Sequence, residues 1–179
     1  MPETNVTHRM LAADFLTQSY RVVGKMMVPN TGVVGLLNDP TTSFMEVVDA
    51  KLARIHMPTK LVGEYKVVDL VKDNVFAICL TRREDMGPQA LARGGYQNMV
   101  EYSIRITNRV YELEGKLEWA GRFNFATIMV EGVRDFVPIY HATLTAILTP
   151  QLRIESPAIL FNRKQVDLLG LVSEKKELA

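Results

Sequence analysis

The chain is poor in most of the features that announce a specialised chemistry. It holds a single cysteine, Cys79, so no disulfide can form within it. That cysteine sits in the apolar run Val75-Phe76-Ala77-Ile78-Cys79-Leu80, where a thiol reads as a small core residue rather than a nucleophile. There are three histidines, His8, His56 and His141, and none has a second His or Cys at metal-ligand spacing. No stretch reaches the roughly 18 consecutive apolar residues that a spanning helix needs. The start, Met1-Pro2-Glu3-Thr4-Asn5, has neither the basic nor the apolar region of a signal peptide, and a cytoplasmic location is the expectation. An excess of one charge is missing too. The 21 Lys and Arg nearly balance the 20 Asp and Glu, for a net charge of +1, whereas a dedicated nucleic-acid binder shows a clustered basic surface.

Signatures of catalysis are equally scarce. No serine lies in a Gly-x-Ser-x-Gly elbow. Gly24-Lys25 and Gly115-Lys116 lack the upstream glycine and the following Ser or Thr of a phosphate loop, and Gly32-Val33-Val34-Gly35 is too short and apolar for a dinucleotide fingerprint. Glu112, Glu114 and Glu118 recur along one stretch in the manner of a sheet's wet face. The reading is therefore no enzyme, no cofactor and no metal.

What is present is repetition. Tyr20, Gly24 and Lys25 recur as Tyr111, Gly115 and Lys116, an offset of 91. Phe44, Ala50, Leu52, Ile55 and Pro58 recur as Phe136, Ala142, Leu144, Ile147 and Pro150, an offset of 92. Val75, Ile78 and Leu80 fall opposite Val166, Leu169 and Leu171, again at 91. In the same frame His141 takes the place of Asp49, and His56 that of Leu148, which suits tolerant positions better than catalytic ones.

Strand signals fill both copies. Tyr102, Ile104 and Ile106 alternate with Ser103, Arg105 and Thr107, and the alternation continues through Val110–Trp119 past Gly115, a glycine of the kind that marks a bend. Ala120-Gly121-Arg122 reads as a hairpin turn into Phe123-Asn124-Phe125, with Trp119, Phe123 and Phe125 as core rings in preference to a partner-binding aromatic tip. Phe136–Leu148, Ala158–Phe161 and Val166–Val172 complete that copy. In the first, strands are expected over Arg21–Val28, Phe44–Ile55, Lys66–Val71 and Val75–Thr81, with Val33–Leu37 either a strand or one helical turn. Residues 8–19 fit a short amphipathic helix as well as a strand, and agreement between the copies favours the strand. Asp85-Met86-Gly87-Pro88 and Ala92-Arg93-Gly94-Gly95 form the linker. Arg82-Arg83-Glu84-Asp85 and Glu174-Lys175-Lys176-Glu177 read as solubilising caps. The predicted organisation is all-β: two tandem small barrels from an internal duplication, residues 1–86 and 98–179, joined by 87–97.

Lys72-Asp73-Asn74-Val75-Phe76-Ala77-Ile78 resembles the second signature segment of the Sm-like small β-barrels, and Tyr20–Ala50 is similar to their first. Arg163-Lys164-Gln165-Val166-Asp167-Leu168-Leu169 repeats the layout. The pattern also resembles short, uncharacterised bacterial β-barrel domains. The resemblance implies edge-to-edge assembly into homo-oligomers and, as an alternative, RNA binding through Lys72, Asn74, Arg163 and Gln165. Against the RNA alternative, Asp73-Asn74 and Lys164-Gln165 stand where RNA-binding members carry an Arg-Gly pair, and no stacking aromatic flanks Asn38-Asp39-Pro40. The expected function is a non-enzymatic module acting through protein–protein contacts as a scaffold or assembly component. A small-molecule site between the copies is a third reading.

Overall fold

Of the 179 residues, the computed structural model describes 7–88, 99–130 and 134–173. The first half runs β1 (His8–Thr17), β2 (Tyr20–Pro29), α1 (Val33–Leu37), β3 (Phe44–Arg54), β4 (Met57–Val71) and β5 (Val75–Leu80). The second runs β6 (Met99–Thr107), β7 (Tyr111–Ala120), α2 (Phe125–Met129), β8 (Phe136–Ala146), β9 (Arg153–Asn162) and β10 (Leu168–Leu171). Single 3-10 turns, Lys72–Asn74 and Arg163–Gln165, precede β5 and β10.

Residue pattern explains the strands. In β1, Leu11, Ala13 and Phe15 are buried while their neighbours Met10 and Ala12 are exposed, the period of two that the helix alternative lacks. Gly24 and Gly115 mark bulges, as expected. Each faces two residues of the partner strand, and those pairs include Asp49 (φ 51°) and His141 (φ 46°), both left-handed. A Cβ on Gly24 would stand 2.5 Å from Val47 Cγ1 and 3.0 Å from the Val48 carbonyl oxygen. One on Gly115 would stand 2.9 Å from both the Ala142 Cβ and the Ile139 Cδ1. At both bends the facing strand comes too close for any side chain.

The chain is all-β, but the strands do not form two separate barrels. They make one open antiparallel sheet of ten, in the order β10-β6-β7-β8-β9-β5-β1-β2-β3-β4. The reason lies in β5. It pairs with β1 on one side and β9 on the other, so neither side is left to close the first half on itself. The cores are two, with shared walls. One is centred on Phe15, Met26 and Val47, and takes in Phe136, Tyr140 and Leu160 from the second half. The other is centred on Ile106, Tyr111 and Leu144, and takes in Leu16, Phe76 and Cys79 from the first. From Ala77 to Leu80 successive β5 residues face opposite cores, Ala77 and Cys79 into the second and Ile78 and Leu80 into the first, which is why this strand is apolar at every position.

Other expectations need correction. After Ala120 the chain turns at Gly121 (φ 74°) and enters helix α2, not a returning strand. Asn124 caps that helix, its Oδ1 accepting from the Thr127 amide at 3.2 Å. Trp119 and Phe123 pack against the second core, but Phe125 is exposed. Phe44, which recurs as the buried Phe136 at an offset of 92, lies on the surface. Strand β4 begins at Met57, nine residues earlier than predicted. Val33–Leu37 is the helical turn. Most of the proposed linker and the run Glu174–Glu177 lie outside the described residues.

Candidate functional site

Three places on this fold gather features that interior packing does not absorb: the two outer strands, the paired 3-10 turns, and a cleft between hairpin turns. The outer strands come first. Among the described residues β4 pairs only with β3, and β10 only with β6, leaving one side of each strand's backbone groups without a strand neighbour. Strand β4 is fifteen residues long and exposed along nearly all of it, although it carries Leu61, Val62, Tyr65, Val67 and Val71. Phe44 pairs with Val71 across β3·β4 and extends the same apolar surface. Strand β10 is Leu-Leu-Gly-Leu, with Leu168 and Leu171 both exposed. Monomeric proteins normally shorten, charge or cover such edges. Strand β4 is partly charged, by Lys60, Glu64, Lys66 and Asp69, but it is not shortened.

The structure does bring together the four residues singled out for nucleic-acid contact. Antiparallel pairing of β5 with β9 sets the turn Lys72–Asn74 beside the turn Arg163–Gln165, and the Gln165 amide donates to the Asp73 carbonyl oxygen. Most of their donors are engaged inside the protein. Lys72 is buried, and its Nζ donates to the Leu36 and Asp39 carbonyls at 3.2 Å and to Thr42 Oγ1 at 2.7 Å. Burial lowers the Lys72 pKa, while the nearby Asp39 carboxylate works the other way. Asp39 itself is held below the ordinary carboxylate range by hydrogen bonds from the Thr41 hydroxyl and amide. Arg163 donates to the Met129 carbonyl and to Asp135 at 3.3 and 3.4 Å. Between them Lys164 lies 3.0 Å from Asp135 and 3.5 Å from Asp73. Only Asn74 is both exposed and without a described partner.

Sequence reasoning missed the asparagines that hold this region. Asn162 is fully buried at the end of β9, and its Nδ2 donates to the Val75 carbonyl at 3.1 Å, across to the other half. Asn38, at the end of α1, brackets the Phe136 backbone, donating to its carbonyl at 3.0 Å and accepting from its amide at 2.9 Å. Neither side chain had a signal beyond its residue type. A buried asparagine tying two halves is indistinguishable in sequence from a turn asparagine.

The third place is a cleft of about 390 Å³ where turns of both halves meet, lined in part by Arg54, His56 and Arg109. Among the described residues no three His, Cys, Asp or Glu side chains are grouped to hold a metal ion, and no helix is long and apolar enough to cross a membrane. Burial pushes the Cys79 thiol far above its ordinary range, which leaves it unreactive in the folded chain. No protein-family model, curated protein or solved structure matches this chain.

Proposed function

We propose that the protein is a non-catalytic β module that assembles with copies of itself, β10 of one chain adding to β4 of the next. The observation that carries this reading is the junction already present inside the chain. There β5, which follows one 3-10 turn, pairs with β9, which leads into the other, and every paired residue, Ala77–Leu80 and Ala158–Phe161, is buried. At the sequence offset of 91, β10 corresponds to the end of β5 and the end of β4 to that of β9. The element order of the halves is also the same, as descent from one doubled Sm-like unit would produce.

The internal register Ala77↔Phe161, Ile78↔Leu160, Cys79↔Ile159, Leu80↔Ala158 then transposes to a definite pairing. Leu168 would face Leu70, and Leu169, Gly170 and Leu171 would face Asp69, Val68 and Val67 of the neighbouring chain. Such a contact is heterologous. It closes into a ring if the rotation per chain divides a full turn, and otherwise runs on as a filament. A nucleic-acid role through Lys72, Asn74, Arg163 and Gln165 has weaker support, because three of those four donate within the protein.

Light scattering of the purified chain at micromolar concentration and above is expected to give a defined multimer. Leu171→Pro, at an exposed position, removes an amide from the outer side of β10 and is expected to reduce the multimer to single folded chains. A wild-type protein that stays monomeric across that range would defeat the proposal.

A further inference from the structure

We propose that the cleft between the hairpin turns binds a small phosphate-bearing anion. Four turns contribute to it: β1–β2 and β3–β4 from the first half, β6–β7 and β8–β9 from the second. The site exists because β5 pairs with β9, so it belongs to the single chain and does not depend on assembly with other copies.

Its charge is unusual for this molecule. Most described arginines lie against a carboxylate, as Arg21 does against Asp14 and Arg105 against Glu114. Arg54 and Arg109 have no carboxylate partner among the described residues, yet both line the cleft, one from each half. His56 lines the cleft as well, and no aspartate or glutamate is among the described residues that do. Two arginines lining one cleft without a counter-charge make it electropositive, on a surface whose many carboxylates offer easy pairing elsewhere. A doubly charged phosphate group matches two planar forks better than any single protein carboxylate. Ser19 and Thr149 also line the cleft and carry hydroxyls suited to the remaining phosphate oxygens, and Tyr20, Ile55 and Val110 add apolar lining for whatever the phosphate is attached to.

The walls are fixed rather than floppy. The Ile55 amide donates to the Ser19 carbonyl at 3.0 Å, locking the two first-half turns together. The Ile147 amide donates to the Val110 carbonyl at 2.8 Å and does the same in the second half. The buried Tyr111 hydroxyl donates to the Thr17 carbonyl and ties one pair of turns to the other. A site held this way needs little ordering when its ligand arrives. The volume of about 390 Å³ suits a phosphomonoester or pyrophosphate rather than a polymer, which would need an open groove with charges along it.

Isothermal titration of the wild-type chain with pyrophosphate, at low ionic strength, tests this directly. Saturable binding at one site per chain is expected, with affinity falling about tenfold or more in Arg54→Gln and again in Arg109→Gln. Both side chains are exposed, so circular dichroism and melting temperature should stay at wild-type values in the two variants. The absence of saturable binding by pyrophosphate would overturn the proposal. So would affinity unchanged in the double variant, or binding confined to a twelve-residue oligonucleotide that pyrophosphate does not displace. Because the readout counts sites per chain, it stands whether or not the protein assembles.

Discussion

The junction of β5 with β9 and the pair of outer strands, β10 and β4, set two fates of similar chain side by side. Inside, Val75–Leu80 is buried at every residue, and Ala158, Ile159, Leu160 and Phe161 have no exposure at all. Outside, Leu168, Leu171, Val67 and Val71 are each about half exposed. The same contrast holds for two phenylalanines at equal positions in their strands: Phe136 is 1% exposed inside the first core, and Phe44 is 53% exposed beside the free edge. The outer edge differs in one informative residue. Asp69 stands at the position where β9 has Leu160. A charge on an open edge disfavours uncontrolled strand pairing, and would make the proposed outer junction weaker and more readily reversed than the inner one.

The largest effect follows from putting the outer residue inside. Leu160→Asp places a carboxylate in the wall of the first core, with no basic side chain among the buried members of that cluster. A loss of about 4 kcal/mol or more in urea unfolding is expected, enough to leave much of the chain unfolded. Retention of near wild-type stability would mean that the inner junction is not the shared wall described above. The next effect is smaller and separates hydrogen bonding from packing at the same place. Tyr111→Phe keeps the ring stacked on Phe76, whose centroid lies 5.4 Å away, but removes the hydroxyl that reaches Thr17. A cost of about 1 kcal/mol, read from the denaturation midpoint, is expected for a half-buried acceptor losing its partner. The reciprocal exchange, Asp69→Leu, acts only between chains. It should tighten association roughly tenfold, worth about 1.4 kcal/mol, in sedimentation experiments while leaving the unfolding of the single chain nearly unchanged.

These contrasts also show where the fold was legible. The bends at Gly24 and Gly115 could be placed because a glycine between alternating strand residues has a narrow meaning. Strand β1 could be placed only by comparison with the clearer alternation of Tyr102–Val110, because residues 8–19 alone fit a short helix as well. Helix α2 was missed because Phe123-Asn124-Phe125 alternates like a strand, while its real signal was a capping asparagine three residues before Thr127. The first part of β4 was missed because residues 59–64 mix polar, charged and apolar side chains on both faces, as an unpartnered edge permits. The joining of the halves was half-visible. A strand as uniformly apolar as Val75–Leu80 has to be covered on both faces, but nothing in the pattern says by which strand. Of the candidate site residues, the adjacency of Lys72 and Asn74 to Arg163 and Gln165 was not legible, because equal placement at an offset of 91 says nothing about distance and only the pairing of β5 with β9 brings the two turns together. Nor was it legible that Lys72 would turn inward onto three oxygens, since the same lysine on a more open turn would face water.

The smallest expected effect compares an inner ion pair with an outer one. Asp85, in the 3-10 turn after β5, is 2% exposed and lies 2.6 Å from an Arg9 nitrogen and 3.0 Å from one of Arg82. Burial would raise its pKa, but the two guanidinium groups together outweigh that and hold the carboxyl below its ordinary value. A carboxyl depressed in the folded state stabilises fully at pH above its unfolded pKa, which is about 3.9. That contribution disappears as pH falls through the lower, folded value. Lys51 and Glu64, across β3·β4 at the edge, are 3.8 Å apart and both more than half exposed, so water and salt leave their pairing almost without effect. Thermal melts between roughly pH 5 and pH 2.5 should therefore show a shallower acid-side decline in Asp85→Asn than in the wild type. Glu64→Gln should leave the curve where it was. Parallel declines in the wild type and Asp85→Asn would mean that Arg9 and Arg82 do not hold the carboxylate in solution, and that this end of the inner junction is as open as the edge.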